Sequence, residues 1–570
     1  MDDQNLLALG PGNGSKIEAI KSASRNLRGP IGDELANGAS HFSEPAVQLL
    51  KFHGTYQQEN RDARAARKST GQEKAYQFMV RSRIPGGVLT ADQYLVHDDL
   101  AQRFGNGTVR LTTRQGIQLH GVLKGELRNT IHAINDALLS TLAACGDVNR
   151  NVMGCPAPLR DREHAGVSAT AEAIANRLAP RSHAYHELWL DGERLPAEAP
   201  ETEPIYGPTY LPRKFKIGIA YPGDNCIDVY TQDIGLVPEL AGDRLTGFTL
   251  IVGGGMGMTH NKPQTYPRAG TPLGFVTADR AQAAVEAIVT VQRDYGDRSD
   301  RKHARMKYLI EERGIAWFRA EVELRLGWAL DEPHPVAFSE LNDHLGWHEQ
   351  ADGNWFLGIF VQNGRVRDDG PARVRSGLNH VIRRFGPGVR ITGQQNILLT
   401  DILAADRAAV EASLREHGIV ADPNELGVRR YSMACPAAPT CGLAVAESER
   451  ALPTVMDRLE AELERLGLAD ERLSVRMTGC PNGCARPYMG DVGLVGRSAG
   501  LYDLFLGGDW ANTRLNAQFA TGVKFDEIVP TLRPLLERWN AERSAGETFG
   551  DWVHRIGFDA LRRSVETVAC

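Results

Sequence analysis

Val109-Arg-Leu-Thr-Thr-Arg-Gln-Gly-Ile-Gln-Leu119 returns 280 residues later as Val389-Arg-Ile-Thr-Gly-Gln-Gln-Asn-Ile-Leu-Leu399. Arg103-Phe-Gly105 precedes the first copy as Arg384-Phe-Gly386 precedes the second, and Met153-Gly-Cys-Pro-Ala157 returns as Met433-Ala-Cys-Pro-Ala437. Leu250-Ile-Val-Gly-Gly-Gly255 resembles Leu504-Phe-Leu-Gly-Gly-Asp509, and Gly314–Glu323 resembles Gly557–Glu566. Matches in one fixed order with small gaps indicate an internal duplication. The halves run from about 75 to 330 and from about 350 to 566. Joined halves should pack about a pseudo-twofold axis, with any shared ligand where they meet.

Each half opens on a strand–helix–strand–helix pattern. In the first, Gln77–Arg83 reads as a strand, Ala91–Phe104 as a helix, 108–120 as a strand and 126–144 as a helix. In the second the same elements fall at Trp355–Gln362, Ala372–Phe385, 388–399 and 404–417. The unit suggests two ferredoxin-like halves, and the remainder of each half, including a helix at 279–294, alternates as in α/β layers. The expected class is α+β with α/β parts: an N-terminal arm (1–74), half 1 (75–145), α/β domain 1 (146–345), half 2 (346–428) and α/β domain 2 (429–570). The arm is polar and turn-rich, and is expected to pack on the body or on a partner.

Side chains alternate sides along a strand. On 108–120 one side would carry Arg110, Thr112, Arg114, Gln118 and His120, and on the second copy Arg390, Thr392, Gln394 and Asn396. A solvated outer face accounts for this pattern, but the Arg-x-Thr start kept in both halves favours a donor-rich wall for a polyanion. Further basic residues stand at strand ends: Arg81 and Arg83, Arg150, and Arg213-Lys-Phe-Lys216. Two cations about 4 Å apart repel by roughly 4 kcal/mol at an effective dielectric near 20, so convergent cations make sense only around an anion.

Eight cysteines in 570 residues do not form a disulfide scaffold, and the N-terminus lacks the basic end and apolar core of a signal peptide, so a reducing cytoplasm is expected. A net charge of −6 and the lack of any long apolar run point to neither nucleic acid nor membrane. Four of the cysteines form two couplets, Cys435-x5-Cys441 and Cys480-x3-Cys484, among Pro and Gly. Four soft thiolates suit an iron–sulfur cube; a zinc site, for which the first gap is long, and four unrelated buried thiols are the competing readings. Cys145, Cys155, Cys226 and Cys570 read as plain side chains.

These couplets, with Thr478-Gly-Cys-Pro-Asn-Gly-Cys484, resemble the signature of the sirohaem-dependent sulfite and nitrite reductases. The likeness extends through Arg81-Ser-Arg-Ile-Pro-Gly-Gly87, Arg110–Gln115, Asn149-Arg-Asn-Val152, Leu211-Pro-Arg-Lys-Phe-Lys216, Leu49–Gly54, Tyr56-Gln-Gln58 and Ile251–Gly255, nearly the whole chain. It is strongest for the haemoprotein component of the bacterial NADPH-dependent sulfite reducers. The resemblance implies a 4Fe–4S cluster on Cys435, Cys441, Cys480 and Cys484, with Cys484 shared with the sirohaem iron. It implies anion binding by Arg83, Arg150, Lys214 and Lys216. It places Arg114, Gln118, His120, Arg213 and Asn396 against the carboxylates of sirohaem. It further implies sulfite as substrate and a flavoprotein (alpha) reductase component as electron donor, since the Gly-rich stretch at 251–257 lacks the full dinucleotide fingerprint. The arm is the expected docking segment. A ferredoxin-dependent sulfite or nitrite reductase, and a non-catalytic iron–sulfur carrier, are the alternatives.

Overall fold

The duplicated stretch is not a continuous strand in either half. In the computed structural model, which describes residues 14–181, 189–190, 193–194 and 203–568, both copies fold as β-hairpins. Residues 1–13 of the expected arm, and Cys570, lie outside the described residues. Val109–Leu111 pairs with Ile117–Val122, and Gly388–Ile391 with Ile397–Leu403. The repeated threonine makes the turn. Thr112 Oγ1 accepts from the N–H groups of Arg114 (3.3 Å) and Gly116 (3.0 Å), and Thr392 Oγ1 from those of Gln394 (3.2 Å) and Asn396 (3.1 Å). These bonds replace ladder bonds that a strand would have supplied. Gln115 and Gln395 close the two turns in left-handed conformation, at φ 52° and 73°.

The expected donor wall is corrected accordingly. Arg110 is turned to the Glu449 carboxylate and donates to the Ala434 carbonyl (2.7 Å). Arg390 donates to the carbonyls of Pro156 and Ala157. The helix expected at 126–144 spans Leu127–Asp136.

The two half-sheets exchange edge strands. The first runs Thr55–Glu59, Tyr76–Arg81, Ile117–Val122, Val109–Leu111, Arg365–Val366. The second runs Gly346–Glu349, Asn354–Ile359, Ile397–Leu403, Gly388–Ile391, Val88–Leu89. Each half thus lends a two-residue strand to the other's hairpin, with Arg365 opposite Arg110 and Val88 opposite Arg390. The helices Ala91–Arg103, opened by a Thr90/Gln93 capping box, and Val374–Phe385 meet across the same seam. There Asp98 accepts from Arg375 (2.7 and 2.8 Å) and Asn379 (2.6 Å). This reciprocal arrangement is the pseudo-twofold relation expected from the repeats.

Two mixed sheets follow the halves. One runs Ile217–Ile219, Ile234–Ala241, Arg244–Val252, Thr271–Thr277; the other Ser432–Ala434, Val475–Thr478, Val492–Ser498, Leu501–Leu506, Ala517–Lys524. The first begins with one parallel pair and the second with two, and both continue antiparallel. Each chain segment ends in a helix pair hinged at a glycine of positive φ: Met306–Arg313 and Ile315–Leu326 about Gly314 (84°), Phe549–Ile556 and Phe558–Val568 about Gly557 (81°). A side chain with a Cβ rarely adopts that conformation, which accounts for the repeated glycine.

The arm packs on the body. Leu27, Ile31, Phe42, Ala46, Leu49 and Phe52 enter the core shared by both halves and the first mixed sheet. Burying a large apolar side chain is worth about 1.5–3 kcal/mol. Thr55–Glu59 pairs antiparallel with Tyr76–Arg81, so a cut at residue 74 would remove an edge strand. The second mixed sheet has its own core around Leu459, Leu494, Leu535 and Trp552.

Candidate active site: four thiols and a cationic cleft at the seam

Ser432–Ala434 and Val475–Thr478 are adjacent parallel strands, with Ala434 opposite Met477. The couplets leave from the same ends of these strands, which brings sequence-distant thiols together. Cys435 N–H donates to the Met477 carbonyl (3.2 Å), Gly479 N–H to Cys435 Sγ (3.4 Å) and Asn482 Nδ2 to Cys480 Sγ (3.5 Å). Cys435 and Cys480 are buried, Cys441 half-buried and Cys484 exposed. Burial, and then the charge of Cys484, push the Cys435 thiol well above its ordinary range and the Cys480 thiol up to about 12. Cys441 is likewise raised by burial and by Cys484. Four mutually repelling thiolates in one pocket need a multivalent soft cation, and the donor set fits an iron–sulfur cube.

The second couplet is fixed to both hairpin turns. Thr113 Oγ1 donates to the Cys484 carbonyl (3.0 Å). Arg486 donates to the carbonyls of Thr113 (3.0 Å) and Gly393 (2.7 Å), which are equivalent positions of the two repeats. Asp228, fully buried, pairs with Arg486 and with Arg476 (3.0 Å) and accepts from Asn512 (2.6 Å). Although burial opposes ionisation, the two guanidinium groups hold the Asp228 carboxyl below its ordinary range. Arg486 thus sets the exposed thiol on the seam. Removing one partner of a buried ion pair costs about 3–5 kcal/mol. Arg486→Met is therefore expected to lower unfolding free energy by that order and to reduce bound iron. Unchanged iron content and denaturation midpoint would refute this clamp.

Beside Cys484 lies a cleft of cations. Phe215 is buried and bonds across to Val148 and Arg150, which turns Lys214 and Lys216 to the opposite side, as the alternation predicts. Burial, then Arg213, Arg150 and Arg305, push the Lys214 ammonium down to about 7. Burial, then Arg114, Lys214 and Arg305, push Lys216 well below its ordinary value. Both lysines also feel Cys484. Burial and then Arg301 lower Arg213 to about 10, while burial and then Arg150 lower Arg114 to about 9. Arg114 donates to Gln232 (2.7 Å) and the Ile217 carbonyl (3.1 Å), yet its Nε, like that of Arg150, is buried without a partner. The cleft is underpaired in negative charge, and the orphaned donors fit a polyanionic ligand.

The remaining expected site residues are less uniform. Both ring nitrogens of His120 are buried without partners, and burial holds its pKa well below the usual value. With its amide oxygen turned toward the guanidinium, Gln118 can accept from Arg81, and Arg83 donates to the Ala175 carbonyl (3.2 Å). The Asn396 amide is committed to Val361 N–H (2.7 Å) and the Asp343 carboxylate.

Sequence reasoning missed Arg305, which pairs with buried Asp233 (2.9 Å), and Lys307, which donates to the carbonyls of Gly255 (3.1 Å) and Gly257 (2.8 Å). The available signal was Arg305-Met-Lys307, the same alternation of cations as Lys214-Phe-Lys216.

Two family models each match the chain twice. The nitrite/sulfite reductase ferredoxin-like half domain matches residues 70–137 and 348–417, and the nitrite and sulphite reductase 4Fe-4S domain matches 169–330 and 428–569. The chain belongs to the nitrite and sulfite reductase family. Its relatives include the sulfite reductase (ferredoxin) of Synechococcus elongatus, 49% identical over 97% of this chain and 91% of that one. The sulfite reductase (NADPH) hemoprotein beta-components of Acidithiobacillus ferrooxidans and a Paenibacillus species are 48% and 46% identical, each over 95% of this chain and 96% of the relative. The solved Mycobacterium tuberculosis NirA protein has the same fold, with a TM-score of 0.77 at 24% identity over 95% of this chain and 97% of that one. With this membership go sulfite-reducing enzymatic activity, a 4Fe–4S cluster and sirohaem. No helix among the described residues is long and apolar enough to cross a membrane.

Proposed function

We propose that this chain catalyses the six-electron reduction of sulfite to sulfide in the cytoplasm, with Cys435, Cys441, Cys480 and Cys484 holding the cube and Cys484 also holding the sirohaem iron. The reading rests on one observation: the turn of Thr113 and Arg114 is bonded to the Cys484 carbonyl (3.0 Å) and to the carbonyl of Ile217, next to Lys216 (3.1 Å), which supports an exposed cluster thiol standing beside the cationic cleft. When bound, the two groups would supply the electrons and an iron able to bind sulfite. The chain's residues do the rest. Arg114, Arg213, His120 and Gln118 line the carboxylate-rich periphery, with Asn396 supporting the second hairpin. Arg83 and Arg150 act as fixed cations toward the sulfite oxygens, because arginine hardly deprotonates. Lys214 and Lys216, whose proton affinities are lowered, hold those oxygens and donate protons as oxygen leaves as water. Oxidation of a reduced viologen with either anion, and sulfide formed from sulfite, test this: sulfite should be the preferred anion over nitrite, and a higher kcat/KM for nitrite would reverse the assignment.

The donor is a flavoprotein reductase component fed by NADPH. The 49% identity to a relative named for ferredoxin supports ferredoxin as the second reading. The arm is the expected docking segment, and the docking place proposed is the cluster loop that it touches. Leu443 and Val445 are exposed there, and Arg61 of the arm donates to the carbonyls of Cys441 (3.1 Å) and Ala444 (2.7 Å). Leu443→Asp is expected to slow turnover with the protein donor about tenfold, in the range of a lost interface anchor. Viologen-driven turnover should be unchanged; equal slowing with both donors would place docking elsewhere.

A further inference from the structure

Cys155 occupies the repeat position of Cys435, but its partners are not a second couplet. Met153 bridges Gly218 in parallel, as Met433 pairs with Arg476 in the other half, so Cys155 leaves the first mixed sheet where the cluster couplet leaves the second. Donor atoms of Cys155, Asp224 and His344 lie within 4.8 Å of one another. The Cys155 sulfur also interacts with His164 and Cys226. These residues come from loops far apart in sequence, and packing in the fold joins them.

We propose that this cluster is a second metal site, binding a zinc-class divalent cation through the Cys155 thiolate, the His164 and His344 imidazoles and the Asp224 carboxylate. One thiolate, two imidazoles and one carboxylate are a zinc donor set of intermediate softness. Ligand atoms ~2.0–2.3 Å from zinc stand roughly 3.3–3.8 Å apart, so the Cys155, Asp224 and His344 side chains need close in by about an ångström only, and His164 joins them through its contact with the sulfur. His344 Nε2 is buried with no hydrogen-bond partner, 3.6 Å from Asp224 Oδ2. A carboxylate holds the far nitrogen of His164, as is usual for a metal-bound imidazole: its Nδ1 lies 2.9 and 2.8 Å from the two Asp161 oxygens, and its ring stacks on Tyr221 at 3.9 Å. The other Asp224 oxygen is fixed by the Asn342 N–H (2.9 Å). Burial, then the Cys155 charge, pushes the Asp224 carboxyl up to about 7, a strain that a dication would relieve. Cys226, 1% exposed, packs against the sulfur and shields it. The site uses none of the four cluster thiols and none of the cleft cations.

Holoenzyme equilibrated with zinc and passed through a weak chelator should retain zinc equimolar with the chain. Cys155→Ala and His344→Gln should each lose it while iron content and the visible spectrum stay those of the parent. Zinc-edge absorption of the parent should show one sulfur among nitrogen and oxygen neighbours, which decides the matter even if a variant fails to fold. A parent without retained zinc, zinc unchanged in both variants, zinc with no sulfur neighbour, or a Cys155–Cys226 disulfide in the holoenzyme would each overturn the proposal.

Discussion

Cys484→Ser is expected to strip the protein of cube and haem together. Cys484 is the exposed thiol of the set, its carbonyl is tied to the first hairpin turn at 3.0 Å, and Arg486 binds both turns two residues on. Serine offers a hard oxygen where soft iron needs thiolate sulfur. Loss of an outer-shell partner alone costs about 10–100-fold in metal affinity, and loss of a direct ligand should exceed that. Iron, acid-labile sulfide and visible absorbance, measured on anaerobically purified variant and parent, should fall in parallel. Serine protein that keeps the parent's haem absorbance would separate the two cofactors and reject the shared sulfur.

Lys216→Met and Lys214→Met should damage catalysis and strengthen the bare chain. Removing a preorganised donor to a developing oxyanion costs about 10²–10³-fold in kcat, and sulfite turnover by cofactor-replete Lys216→Met should fall by that order. The stability effect has the opposite sign. Lys214 titrates near 7 in the fold, against an ordinary 10.5. Below pH 7 both folded and unfolded chains carry its proton, and the fold bears the full cost of a charged, crowded ammonium. Between 7 and 10.5 the unfolded chain holds a proton that the folded one lacks, so stability rises with pH across that window. Lys214→Met removes the cost, which is about 1–2 kcal/mol once partial exposure of the ammonium is allowed for. It also flattens the rise. Denaturant unfolding of cofactor-free parent and variant near neutral and mildly alkaline pH checks this. A variant less stable than the parent at pH 7 would show that the cleft does not penalise positive charge.

Much of this architecture was legible because duplication leaves a period that no single element shows. The offset between Val109–Leu119 and Val389–Leu399 located the seam, and the couplet spacing located the thiols. The hairpins were not legible. Val109, Leu111, Ile117 and Leu119 all fall on odd positions, so the period of two resumes in phase after the polar Thr112–Gly116 and hides the turn between two strands. The exchanged strands Val88–Leu89 and Arg365–Val366 are too short to carry any period. The arm has too few apolar residues for a core of its own and is expected to pack on the body or on a partner; Leu27, Phe42, Leu49 and Phe52 complete a core built by others. Likewise Cys155 looked solitary, since Asp224 and His344 approach it only through tertiary packing.

The shared sulfur is the central claim, and Mössbauer spectroscopy of the oxidised, anaerobically purified protein enriched in a nuclear-active iron isotope tests it most directly. Were Cys484 to hold both the haem iron and the cube, the haem spin would extend onto the cluster and the cube irons should show magnetic hyperfine splitting. A diamagnetic cube spectrum beside an independent paramagnetic haem, or a cube with no haem iron at all, would contradict the account.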